Sequence, residues 1–169
     1  MGTRLLPRDL NELFAHALAL EGEAARHFLE LERYMRAAGM DHIADEFESI
    51  GKEEREQYEL LSVGTAGREL PKVLAWEYAP HYLGPRAQVP RAPRNVREAL
   101  TQAIATERRT QNFYVDVAEH ATDDTMCAFA AEMAVDEGRH IARLERLLAR
   151  EPDPAAAPGA GGDVLRLKP

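Results

Sequence analysis

AVDEGRHIARLERLL, residues 134–148, places an acid and an imidazole where a buried helix face needs apolar side chains. Steps of three and four residues keep one face of a helix in register. Taken from Met126 they pass through Ala130, Met133, Glu137, His140, Leu144 and Leu147, so Glu137 and His140 interrupt an otherwise apolar stripe. Three further stretches repeat the pattern. Leu10, Phe14, Ala17, Glu21, Ala24, Phe28, Leu31 and Met35 form the first. Ile43, Phe47, Ile50, Glu54, Gln57 and Leu61 form the second, and Val96, Leu100, Ala103, Glu107, Thr110, Tyr114 and Val117 the third. Each carries a carboxylate near its middle. The architecture that buries four such stripes against one another is an all-α four-helix bundle.

Start and stop signals fall between the stripes. The first helix can open at Pro7, a residue suited to a first turn, and run to Ala38, where Gly39 supplies a left-handed stop. Asp41 reads as the cap of a second helix from His42 to Ser62, ended by Gly64 and Gly67. Asn95 with Glu98 forms a capping box for the third, which reaches Ala121; Thr122 or Asp123 caps the fourth, which reaches Arg150 and stops before Pro152. Connections of about three and about two residues make each consecutive pair an antiparallel hairpin. Pro71, Pro80, Pro85, Pro90 and Pro93 keep residues 65–94 from forming one helix, so this segment is a long crossover connection between the hairpins. The bundle is expected over residues 1–150. Residues 151–169, dominated by Pro, Ala and Gly, read as a flexible tail, and its end from Asp163 to Lys168 has the form of a docking peptide.

A net charge of -8 and a pI near 5.3 would repel phosphate backbones and anionic lipid, so neither nucleic acid nor a membrane is an expected partner. Arg4, Pro7, Arg8, Asp9 and Glu12 break any secretory apolar core near the start, and no apolar run approaches the roughly 20 residues of a membrane span. A cytoplasmic location is the expectation. Cys127 is the only cysteine, which excludes an internal disulfide and any Cys-x-x-Cys metal site. A bound metal must therefore take oxygen and nitrogen ligands.

A carboxylate in an apolar core is costly, and four at one level repel one another besides losing their hydration. No Lys or Arg occupies a stripe position. The compensating charge is read as divalent metal, and four carboxylates neutralise two such ions. Glu137 and His140, three residues apart, can chelate together. His16 and His27 fall one residue off the first stripe as boundary residues, and His81 lies in the connector near Trp76, Tyr78 and Tyr82. Glu53 and Glu56 flank Glu54 off the stripe, on what reads as a solvated face. Tyr114, two turns after Glu107, is either a core tyrosine with a bonded hydroxyl or an electron relay.

The hairpins resemble an internal repeat. ALALEGEAARHF, residues 17–28, parallels AIATERRTQNFY, residues 103–114, and GKEEREQYELL, residues 51–61, parallels VDEGRHIARLE, residues 135–145. In these motifs, over residues 8–150, the chain resembles the rubrerythrin-like di-iron proteins of the ferritin-like superfamily. The resemblance implies a two-iron site, with Mn or Zn as substitutes, ligated by Glu21, Glu54, Glu107, Glu137 and His140. Where the family has a second Glu-x-x-His, this chain has Glu54-x-x-Gln57, and an amide is a weaker ligand than imidazole. Thr110 stands where rubrerythrins carry an additional carboxylate, and these 169 residues hold no rubredoxin-type Cys pair. The implied chemistry is peroxide reduction or ferroxidase activity, with hydrogen peroxide, dioxygen or Fe(II) as substrate and an external electron donor. A homodimer is the expected assembly. The alternative is a structural or interaction bundle with a degenerate site.

Overall fold

The computed structural model describes residues 6–73 and 92–152. Four helices make up the described chain: α1 (Leu10–Ala37), α2 (Asp41–Gly64), α3 (Val96–His120) and α4 (Asp124–Leu148), an all-α bundle. α1 packs along α2 and α3 along α4, and α1 also touches α3 and α4. Side chains of α4 reach α2 through Arg143, which donates to Glu46 and Glu53. The connector residues 74–91, with Trp76, Tyr78, His81 and Tyr82, and the tail residues 153–169 lie outside the described residues.

The helix boundaries differ from the sequence reading by one to three residues, for reasons visible in the caps. α1 begins at Leu10 instead of Pro7 because the Asp9 side chain accepts from the Glu12 N–H and fixes the first turn there. At its end Gly39 has φ +75, the Met40 N–H returns to the Met35 carbonyl at 2.9 Å and the Gly39 N–H to Arg36 at 3.1 Å, a Schellman stop that a β-carbon would strain. Asp41 is not a cap. It is the first helical residue of α2, and Met40 stands at the cap without a side-chain bond. Asn95 caps α3 through the Glu98 N–H at 2.8 Å, while the Glu98 carboxylate reaches back to the Arg94 N–H, one residue beyond the reciprocal partner of a standard box. Asp123 caps α4 by accepting from the Met126 N–H. α2 runs on to Gly64, and α3 and α4 stop at His120 and Leu148, just short of Ala121 and Arg150.

The apolar stripes meet as two separate clusters. One gathers Leu13, Ala17, Leu20, Leu61, Phe113, Tyr114, Val117, Met126, Ala130 and Met133. The other gathers Phe28, Leu31, Met35, Ile43, Phe47, Ile50, Leu100, Ala103 and Leu144. Between them in every stripe sits the polar level of Glu21, Glu54, Glu107, Thr110, Glu137 and His140, all buried. The second cluster fixes the α1–α2 spacing: a β-carbon on Gly51 would lie 3.0 Å from Cβ of Phe28, so the helices close here over glycine. The two apolar clusters thus hold the polar level dry and at fixed depth.

Candidate metal centre

Glu21, Glu54, Glu107 and Glu137 come one from each helix, and each is 2% exposed or less. Helical phasing alone delivers them, since each lies on the stripe that its apolar neighbours pull inward. Oxygen or nitrogen atoms of Glu54, Glu107, Glu137 and His140 all lie within 4.8 Å of one another, a buried group that could hold a metal ion. His140 Nδ1 points into it, 2.6 Å from Glu54 Oε1 and 3.1 Å from Glu107 Oε2. Glu21 stands at the edge of this group, facing Glu54, and its Oε1 accepts from the buried Tyr114 hydroxyl at 2.5 Å.

The electrostatics show a level short of positive charge. Burial, and then the neighbouring Glu54 carboxylate, raise the Glu21 carboxyl well above its ordinary value. Burial and the Glu107 carboxylate do the same to Glu137. Burial also lifts Glu107, to about 7, against the lowering pull of its bond to His140. Burial opposes a charge on His140, but its bonds to Glu107 and Glu54 prevail and hold its pKa at about 10. Without metal, the protonated imidazole is the cation of the site.

One imidazolium does not satisfy four carboxylates. Glu54 Oε2, Glu107 Oε1 and Glu137 Oε2 are buried, and among the described residues nothing but protons shared between neighbouring carboxyls is there to pair them. Buried acceptors left in this way are costly and rare. A hard or borderline divalent cation is the partner that such oxygens with one imidazole nitrogen are built to take. The donor set fits iron.

Three residues at this centre escaped the sequence reading. Glu53, set aside as part of a solvated face, accepts from His140 Nε2 at 3.1 Å and from Arg143 Nη1 at 2.6 Å. Arg143 is itself spread over Glu46 Oε1 at 2.6 Å and Ser49 Oγ at 2.8 Å. Asp136, beside Glu137, accepts from Gln57 Nε2 at 3.1 Å and from Arg139. The signal was available: Glu53 and Asp136 occupy the same place in the two halves of the repeat, immediately before the core glutamates. Gln57 is half-buried and turned toward Asp136, outside the compact four-residue group. Thr110 bonds its own helix at the Thr106 carbonyl, 3.4 Å away, and adds no carboxylate. Glu56 remains exposed. His27 is half-buried, at the boundary where its place off the stripe put it; burial, with Arg109 nearby, lowers its pKa to about 4, and it does not join the centre.

With this geometry, comparison with known proteins becomes specific. A crystal structure of an uncharacterized conserved protein from Magnetospirillum magnetotacticum MS-1 superposes with a TM-score of 0.73 at 26% sequence identity, covering 88% of this chain and 99% of that one. No curated protein matches. No helix among the described residues is long and apolar enough to cross a membrane. The family model for rubrerythrin matches residues 12–148, most of the chain and every residue of the buried polar level, and the chain belongs to the rubrerythrin family of the ferritin-like superfamily.

Proposed function

We propose that this chain is a non-haem di-iron protein that couples oxidation of Fe(II) to reduction of peroxide or dioxygen, with Glu21, Glu54, Glu107, Glu137 and His140 as ligands. The observation that carries it is the trio of buried oxygens on Glu54, Glu107 and Glu137, paired by nothing but shared protons and gathered around the one buried imidazole. Bound there, two Fe(II) ions would supply the two electrons that reduction of peroxide requires. Each helix brings one carboxylate, and Glu21, Glu54, Glu107 and Glu137 would together hold the ions. The apolar clusters on either side exclude bulk water from the reacting level. Thr110, which offers a hydroxyl bonded within its own helix, favours the ferroxidase branch over a peroxidase whose metal moves between carboxylates.

Tyr114 is the chain's own redox-capable side chain at the site. Its hydroxyl is buried and donates to Glu21, and burial together with that carboxylate keeps it protonated. A proton leaving the phenol has Glu21 Oε1 to receive it, so an electron can be drawn from the ring without stranding charge in the core.

The test is elemental analysis of protein loaded anaerobically with Fe(II), alongside Glu54→Ala and Glu137→Ala. Two irons per chain, lost in both variants, with Fe(II) oxidation on adding peroxide or dioxygen, is the expected result. Absence of stoichiometric metal from the folded wild type would leave a structural bundle with a degenerate site.

A further inference from the structure

The outer faces of the two hairpins differ at equivalent positions of the repeat. On the second hairpin the groove between α3 and α4 is filled by its own side chains. Arg108 pairs with Glu145 across it, and Gln111 lies over Gly138 and donates to the Ala134 carbonyl at 3.1 Å. On the first hairpin Gly22 stands in the place of Arg108 and Ala25 in the place of Gln111. The α1–α2 groove is accordingly open, with a volume of about 540 Å³. Leu18, Gly22, Ala25 and Leu29 of α1 line it together with Tyr58 of α2, whose ring remains 41% exposed. From Leu18 to Leu29 these positions keep the three and four residue steps of one helix face over about 16 Å, so α1 carries a second apolar stripe on the side away from the core.

The rim of the groove is charged. Arg26 stands on the α1 side and Arg55 and Glu59 on the α2 side, all three exposed and none in a salt bridge among the described residues. Exposed arginines elsewhere, Arg36 and Arg108 among them, find carboxylates within the chain. A β-carbon on Gly22 would meet the Tyr58 ring at 3.4 Å, so Glu59 lies at the Gly22 level of the groove. Arg55, one turn earlier on the antiparallel α2, lies at the Ala25 level beside Arg26. The groove therefore has a cationic end and an acidic end. A partner of one sign would meet like charge at one of them, whereas a second copy turned end for end meets opposite charge at both.

We propose that this groove is the contact between two copies of the chain: α1 lies antiparallel to α1 of the partner subunit about a two-fold axis between Gly22 and Ala25, and Arg26 of each copy pairs with Glu59 of the other. Gly22 and Ala25 have little side chain to hold the two helices apart, and Leu18 of each copy packs near Leu29 of the other. A face two helices wide, the shorter of them 24 residues long, offers on the order of 800 Å² per copy, the area that a stable pair buries. The contact uses the backs of the helices that carry Glu21 and Glu54, and it does not depend on whether the centre holds metal.

Sedimentation equilibrium of the full chain tests this. The wild type should be a dimer at micromolar concentration. Gly22→Arg with Ala25→Gln, which gives the first hairpin the side chains that fill the second, should leave a monomer whose helix content by circular dichroism is unchanged. Arg26→Glu and Glu59→Arg should each weaken association by about tenfold or more, and the two together should restore it. A monomeric wild type, a dimer that survives Gly22→Arg with Ala25→Gln, or charge reversals whose losses add instead of cancelling would overturn the proposal. A monomer in which Ala25→Cys and Leu165→Cys cross-link within one chain would also overturn it and give the groove to the tail.

Discussion

The α1–α2 hairpin and the α3–α4 hairpin supply the same carboxylates and different chemistry. Glu21 and Glu107 correspond, as do Glu54 and Glu137, and all four are buried. At three further repeat positions the second hairpin carries the reactive residue and the first an inert one. Tyr114 corresponds to Phe28, His140 to Gln57, and Arg143, which braces Glu53, to Leu60, which is 69% exposed. Negative charge is thus shared evenly over the bundle, whereas the imidazole, the phenol and the bracing guanidinium are concentrated on one half. The first hairpin reads as the packing half of the centre and the second as its chemical half.

The largest test of that division sets Phe28 against Tyr114. Phe28 is fully buried, 5.9 Å from the Phe47 ring by centroids, and underlies the close approach at Gly51. Phe28→Ala is expected to cost about 3–5 kcal/mol of stability. Chemical denaturation in the cold will show it, while the fraction still folded keeps its full metal content. Tyr114→Phe removes one oxygen that meets Glu21 and leaves the packing intact. Its expected signature is the opposite: metal content unchanged, stability altered by about 1–3 kcal/mol, and Fe(II) oxidation slowed by about tenfold or more. A Tyr114→Phe protein with wild-type turnover would reduce Tyr114 to a second packing residue.

A smaller effect follows from how the metal-free site titrates. Glu107 has its folded pKa raised from 4.5 to about 7 and His140 from 6.5 to about 10, while Glu21 and Glu137 are raised as well. A group whose folded pKa is raised binds its proton more tightly in the native state. Its contribution is complete below the unfolded pKa and is lost as pH climbs through the folded one. Glu107 should therefore withdraw stability between pH 4.5 and about 7, and His140 between pH 6.5 and about 10. Metal-free protein should melt at progressively lower temperature from pH 5 toward pH 10, each kcal/mol lost moving the midpoint by about 2–4 °C. Loading with metal replaces those protons and should reverse the slope above pH 6. A melting temperature that rises with pH in the metal-free protein would show the carboxylates to be paired by something other than protons and metal.

Most of the fold was legible because it rests on periodic patterns that tertiary contacts reinforce. Of the stripe positions assigned to the core, all six from Ala17 to Met35 and all four from Glu107 to Val117 are buried. The burial of the four glutamates and His140 follows from the same rule, since a polar residue in mid-stripe is carried inward with its apolar neighbours. Glu53, Asp136 and Arg143 were not, because they act from the boundary between helices. There a half-exposed carboxylate and a solvated one have the same periodicity, and only the partner across the α2–α4 contact distinguishes them. Gln57 lay in phase with its stripe but is drawn to the flank by Asp136, a bond between residues 79 apart in sequence that no local pattern encodes.

Helix ends were the other place where local reading erred, and they supply the smallest prediction. Asp9, Asn95 and Asp123 each accept an N–H of the following turn with their side chains, so one cap serves the first hairpin and two the second. α2 starts without such a bond, and Asp41, which has the composition of a cap, is instead its first helical residue. A side chain that accepts a first-turn N–H contributes about 1 kcal/mol, whereas an exposed acid in that turn interacts only with the helix dipole, at about 0.3–1 kcal/mol and screened by salt. Asn95→Ala and Asp123→Ala should each lower stability by about 1 kcal/mol at any ionic strength. Asp41→Ala should cost less at low salt and nothing measurable at high salt, although Arg36 lies 3.7 Å from its carboxylate. Denaturant unfolding of the three variants at two salt concentrations decides the matter. A salt-independent loss in Asp41→Ala equal to that in Asp123→Ala would mean that α2 is capped after all and that both hairpins begin their second helices by the same device.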